Sequence, residues 1–213
     1  MTLRKLFFLF WTTCLIGTVT APIIGLLLQV SNIGGELQIV SQLWAGVMFG
    51  AMAQMGFFAY MVFNMVFVGF IRNQRMYQAL QLIVTVIVLL NLLMIQRDST
   101  LEVGAWFIVP ATILIAALIA AWFKVKATNR YSFIPALFFM TVATSLEAIP
   151  ALKQSIPLIL LMVITLLICN AWQLMQLHRL LDPVSPPMDR PHQSPTDIKK
   201  KRKRKKRPVT RSR

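Results

Sequence analysis

Histidine, cysteine and acidic residues are all scarce in this chain of 213 residues, which has two His, two Cys and seven Asp or Glu. Cys14 and Cys169 lie far apart within apolar segments, and neither has a second Cys or His at metal-ligand spacing. They read as small buried hydrophobes, so neither a metal site nor an exported disulfide framework is supported. His178 stands where the apolar part of the chain ends and His192 beyond it, which leaves no Ser or Cys with a base in reach. Glycine-rich phosphate loops, an HExxH helix and paired carboxylates inside apolar segments are missing as well. No catalytic residue, metal ligand or cofactor is therefore expected, and the chain reads as a non-enzyme.

What the chain has is apolar length. It is 57% hydrophobic and only 14% charged, with a mean hydropathy of +0.66, a balance that a soluble core does not explain. Residues 43–71 run for 29 positions without Lys, Arg, Asp, Glu or Pro, whereas about 20 apolar residues already cross a bilayer's hydrocarbon as a helix. Five further segments are similar. The expected spans are residues 6–30, 43–71, 77–95, 103–123, 131–149 and 156–177, giving an all-α integral membrane bundle of six transmembrane helices over residues 1–180. Arg4 and Lys5 precede the first apolar run as in a signal peptide, but the run is too long and Pro22 disfavours cleavage after Ala21. Pro22 is expected to kink or end the regular part of that span.

Charge orients the bundle. Lys and Arg collect at the N-terminus, in the loop around Arg72 and Arg75, in the loop holding Lys124, Lys126 and Arg130, and after the last span. The alternate loops hold none, Arg97 and Lys153. By the positive-inside rule both termini are cytoplasmic, and the chain is a multi-pass protein of a bacterial cell membrane. From Asp182 the composition turns to Pro, Ser, Gln and Lys, and residues 181–213 are expected to be a disordered polybasic tail. Its basic run is Lys199, Lys200, Lys201, Arg202, Lys203, Arg204, Lys205, Lys206 and Arg207. Tethered beside the cytoplasmic leaflet, this run favours anionic membrane lipid, at about 1 kcal/mol per Lys or Arg, over nucleic acid.

The candidate contact residues are the few polar and small ones inside the spans. Gly46 and Gly50 are four apart, which strips one helix face and lets another backbone approach. Gln54 and Asn64 in span two would leave amide groups unpaired in lipid and should face protein or water. Asn170 and Gln173 are the candidates on span six. Gly56 and Tyr60 complete the set of helix or partner contacts. The plainer alternative is that these residues only hold the chain's own bundle together. Glu147 is the one acidic residue at span depth, and an ionisable group there is a functional candidate. Three residues before Pro150, it can instead reach interfacial water or Lys153.

With six spans, the second-span run from Gln54 through Gly56 to Tyr60, and the final-span run from Cys169, Asn170, Trp172 and Gln173 to His178 and Arg179, the chain resembles the KinB-signalling-pathway activation (KbaA) family of endospore-forming bacteria. The resemblance covers about residues 1–180, and the long basic tail departs from the family's usual short C-terminus. It implies a non-enzymatic membrane accessory that promotes signalling by a sensor histidine kinase and feeds the phosphorelay that triggers sporulation. The implied partner is that kinase, reached through span two. On that reading, Leu at both Gly46 and Gly50 abolishes signalling while the protein still inserts. The alternative is a small polytopic transporter or channel, for which Gln81, Thr85, Asn91 and Thr112 offer little polar path.

Overall fold

A computed structural model describes residues 3–31, 38–71, 73–97, 107–152 and 154–181. Gly34, Gly35, Glu36, Arg72, Asp98, Glu102, Trp106, Lys153 and the whole basic tail lie outside the described residues. All regular structure in the described residues is helical: α1 Leu3–Val30, α2 Ile39–Phe70, α3 Gln74–Arg97, α4 Ile108–Ala127, α5 Phe133–Ala148 and α6 Ile156–Leu181. Each of the six is long and apolar enough to cross a membrane.

Prolines mark the starts of the last three helices and the end of α5. Pro110, Pro135 and Pro157 each lie in the first turn of α4, α5 and α6, where a missing N–H costs no intrahelical bond. Pro150 sits in a 3-10 turn, Ile149–Ala151, that closes α5. Pro22 is the exception, because α1 continues past it to Val30 and the proline does not end the helix. Membrane-type helices tolerate such a proline when neighbouring groups satisfy the freed carbonyl.

The fourth helix is displaced from its expected range. It starts at Ile108 and takes in Lys124 and Lys126, which the charge pattern had assigned to a loop. Lysine is a good helix former with an apolar stem, so charge alone does not stop a helix. Asn129 does: its backbone is extended and its side chain accepts from the Arg130 N–H at 2.7 Å.

Consecutive helices run antiparallel. Gly25 of α1 packs on Gln42 of α2, Gly17 on Gly46, and Cys14 on Gly50, so the two helices run in opposite directions. Asn64 near the end of α2 meets Tyr77 near the start of α3. Thr13 of α1 meets Gln173 of α6, and the carbonyl of Leu174 receives Lys124 near the end of α4. Arg4, Lys5, Arg75, Lys126 and Arg130 consequently share one end of the bundle.

The bundle is inverted relative to a soluble protein. Phe7, Trp11, Met55, Met65, Ile83, Ile87 and Ile115 point outward, while Thr13, Gln54, Gln81, Thr144, Asn170 and Gln173 are buried. The enclosed centre belongs to α5 and α6, with 56% and 61% of their spans buried against 17–33% for the others. Between α2 and α5 the core is aromatic. Tyr60 and Phe57 pack on Phe139 at ring distances of 4.8 and 5.9 Å, and Phe63 stacks on Phe138 at 5.2 Å.

Candidate functional site

Four helices meet at a polar junction built around one turn of α6. Asn170 and Gln173, three residues apart, share a helix face, and neither exposes any surface. The Gln173 amide donates to Gln54 Oε1 of α2 at 3.0 Å and to the Thr13 hydroxyl of α1 at 3.4 Å. The Asn170 amide donates to Glu147 Oε2 of α5 at 2.9 Å and to the Thr144 hydroxyl at 3.1 Å. The nitrogen of Asn170 faces Glu147, and its oxygen is turned away from the carboxyl group. Both hydrogens of each amide are thereby used.

Glu147 is nine-tenths buried. Rather than turning to interfacial water, it points into the bundle and meets Asn170, the fifteenth of the 26 residues of α6, and Gly56, the eighteenth of the 32 of α2. The interfacial alternative is corrected accordingly, and its proposed partner Lys153 lies outside the described residues. Because α5 closes at Pro150, its last turn lies against the middle of α2 and α6. Gly56 makes room there for the carboxylate: a Cβ on it would meet Glu147 Oε1, and the glutamate would have to move aside.

Bonding at the junction is incomplete. Glu147 Oε1, Gln54 Nε2, Asn170 Oδ1 and Gln173 Oε1 are buried without a partner among the described residues, as are the hydroxyls of Thr141 and Ser145 elsewhere on α5. Leaving such groups unsatisfied costs about 1–3 kcal/mol each. No cluster of three His, Cys, Asp or Glu forms among the described residues.

The other candidate residues fall elsewhere. Gly46 and Gly50 are covered by α1: a Cβ on Gly46 would collide with the Gly17 carbonyl, and one on Gly50 would lie 2.8 Å from Cys14 Cα. The small-residue face is thus spent inside the chain, and leucine at both positions would push α1 off α2 rather than disturb an outside contact alone. Tyr60 lies in the aromatic core. Asn64 accepts from the Tyr77 hydroxyl at 2.6 Å, and that hydroxyl accepts from Gln81 Nε2 at 2.9 Å. Tyr77, Gln81, Thr13 and Thr144 were not anticipated as bonding partners. A hydroxyl or amide within an apolar span is the signal that each carried.

Lys124 was likewise missed. It continues the buried face of Val109, Ile113, Ala117 and Ala121 and donates to the Leu174 carbonyl at 2.7 Å. Lys126, one turn beyond Trp122, places its ammonium 4.6 Å from the indole centroid.

A six-helix bundle with an apolar exterior and a buried amide and carboxylate junction defines a polytopic membrane-type protein without a soluble domain among its described residues. Residues 17–180 match the KbaA family, described as KinB-signalling pathway activation in sporulation, and the chain belongs to that family. It is 29% identical over 191 residues to the KinB-signaling pathway activation protein of Bacillus subtilis (strain 168), covering 82% of this chain and 96% of that one. No solved structure matches the chain.

Proposed function

We propose that the chain is a multi-pass cell-membrane protein, with both termini in the cytoplasm, that promotes signalling by a KinB-type sensor histidine kinase and so entry into sporulation. It acts as a non-enzymatic accessory whose helices contact the kinase within the bilayer. The observation that carries this reading is the family match from residue 17 to residue 180, which takes in the second half of α1, all of α2 to α5 and all but the last residue of α6. The Bacillus subtilis relative, matched over almost its full length, supports the same reading.

To activate, the protein must bind one kinase conformation better than the other, since equal affinity for both shifts nothing. With Gly46, Gly50 and Gln54 covered, the part of α2 left open to a partner is its outer face. Trp44, Met48, Met55, Val62 and Met65 recur there at helical spacing and are 56–73% exposed. Methionine-rich surfaces adapt to varied partners.

The test is in vivo photocrosslinking in a spore-forming host from Met48 and Val62, with buried Gln54 as the control position. A sensor-kinase adduct from the two outer positions and none from Gln54 is the expected result. No kinase adduct from either outer position, in a protein that fractionates with the membrane, overturns the contact mechanism.

A further inference from the structure

One amide is left out of the bundle's internal bonding. Asn91 of α3 is exposed and, unlike Gln54, Asn64, Gln81, Asn170 and Gln173, has no hydrogen-bond partner among the described residues. It is the only exposed asparagine or glutamine inside a helix among the described side chains. Its helix is the least enclosed of the six, with 17% of its span buried. The inward side of α3 carries Tyr77, Gln81, Thr85, Leu92 and Gln96, and Asn91 stands about 100° round from Leu92.

Depth decides what this exposure means. Asn91 lies six residues before Arg97, the end of α3, which is about 9 Å of helix. An asparagine side chain is too short to cover that distance to the interface. With the helix in a bilayer, the carboxamide meets hydrocarbon, where its donors and acceptor go unpaired. Another helix is what satisfies a polar group so placed.

Symmetry selects the partner. Copies of one chain insert with the same orientation, so α3 of two copies runs parallel, each residue at the same depth, about a two-fold axis along the membrane normal. Asn91 then meets Asn91, and a carboxamide is complementary to itself, because each donates an N–H to the other's carbonyl. The neighbours suit such a contact. Ile83, Ile87 and Ile95 lie in the same i±4 row as Asn91 and are 54%, 57% and 39% exposed, giving a ridge of the kind that packs between helices. Ile87, Asn91 and Ile95 also line a groove with Leu146 and Ile149 of α5, which offers the partner's ridge a seat.

We propose that two copies of this chain associate in the membrane through α3, with a reciprocal amide pair between their Asn91 side chains. The proposal takes from the proposed function only that the helices cross a bilayer: absence of a kinase contact leaves it standing, and its own failure leaves kinase contact untouched.

The test follows energy transfer between two populations of the full chain, labelled with donor or acceptor dye at the C-terminus, in lipid vesicles over a range of protein-to-lipid ratios. Transfer that rises with protein density is expected. Loss of an interhelical amide pair weakens association about tenfold, so Asn91→Leu should need about tenfold more protein in the bilayer for half-association. Asn91→Gln keeps the amide and should restore most of the transfer. Because Asn91 bonds to nothing among the described residues, Asn91→Leu should leave the chain's resistance to unfolding unchanged or raised. In native membranes Ile87→Cys should give an oxidised dimer, whereas Ile115→Cys, at 58% native exposure on α4, should not, and Cys14 and Cys169 are buried. Transfer that does not depend on density, transfer unaltered in Asn91→Leu, or equal crosslinking at the two cysteine positions overturns the proposal. So does an Asn91→Leu protein that is less stable yet associates normally, which would place the amide's partner in its own chain. An Ile87→Cys adduct with another protein in place of the dimer overturns it too, and would give this face to a different membrane helix.

Discussion

Gly46→Ala adds one methyl group where the carbonyl oxygen of Gly17 already lies, and the obstruction is backbone that cannot rotate away. Overpacking costs about 1–3 kcal/mol, and a rigid backbone neighbour puts this site at the upper end. Alanine returns up to about 1 kcal/mol of helix propensity, leaving a net loss of about 1–2 kcal/mol. Gly69, on the same helix, has nothing within 4 Å of a built Cβ, so Gly69→Ala keeps the propensity gain alone. The two variants should therefore differ by about 2–3 kcal/mol, a factor of about 30 to 150 in the folded-to-unfolded ratio. The assay is reversible SDS-driven unfolding in mixed micelles, followed by far-UV circular dichroism. Gly17→Ala is the reciprocal change, because its Cβ meets the Gly46 carbonyl. Once the helices have separated for one methyl the second costs less, so the double variant should lose less than the two singles combined. A Gly46→Ala protein as stable as Gly69→Ala would refute the close crossing of α1 and α2.

Two further changes address the buried polar groups. Asn170→Leu strips Glu147 of its donor and should cost about 2–3 kcal/mol in the same unfolding assay. Adding Glu147→Leu should recover part of that loss, and a double variant no better than the single would show that the pair is not the reason for the cost. Tyr77→Phe removes a hydroxyl that donates to Asn64 and accepts from Gln81, and should cost about 1–2 kcal/mol. If Asn64→Leu reduces that cost by nothing, the bond between α2 and α3 is not formed.

How much of this was legible in the sequence depended on which residues carried facing information. The six helices followed from uncharged length, and Gln54 and Asn64 were expected to face protein or water because an amide has to find a partner. Apolar residues gave no such guidance. Phe57 is fully buried and its neighbour Phe58 is 38% exposed, yet in a helix that is apolar all round nothing in the periodicity separates them. The pairing of helices was therefore unreadable, which left open whether the face of Gly46 and Gly50 met α1 or a partner. Lys124 and Glu147 misled for a related reason. Each sits near the end of its own helix, where charge suggests the interface, and each turns inward onto the middle or lower part of α6.

The junction on α6 makes a sharper claim than a list of bonds, because Asn170 and Gln173 hold two different parts of the bundle from one helix face. Asn170 fixes α6 to α5, and Gln173 fixes it to α1 and α2. Both sets of bonds depend on a single rotational setting of α6, since turning the helix by one residue's 100° would break them together. If the amides act as one lock, loss of either frees α6 to turn, and the remaining one is then worth less. Gln173→Leu alone should cost about 0.6–1.7 kcal/mol, the range for hydrogen bonds between membrane helices. Combined with Asn170→Leu it should cost less than the two losses taken separately, by about 0.5–1 kcal/mol. Additivity within about 0.3 kcal/mol would mean that each amide holds its own neighbour independently and that α6 is positioned by apolar packing instead. The control is Thr85→Val, a buried hydroxyl of α3 bonded only within its own helix, which should add to either change without coupling.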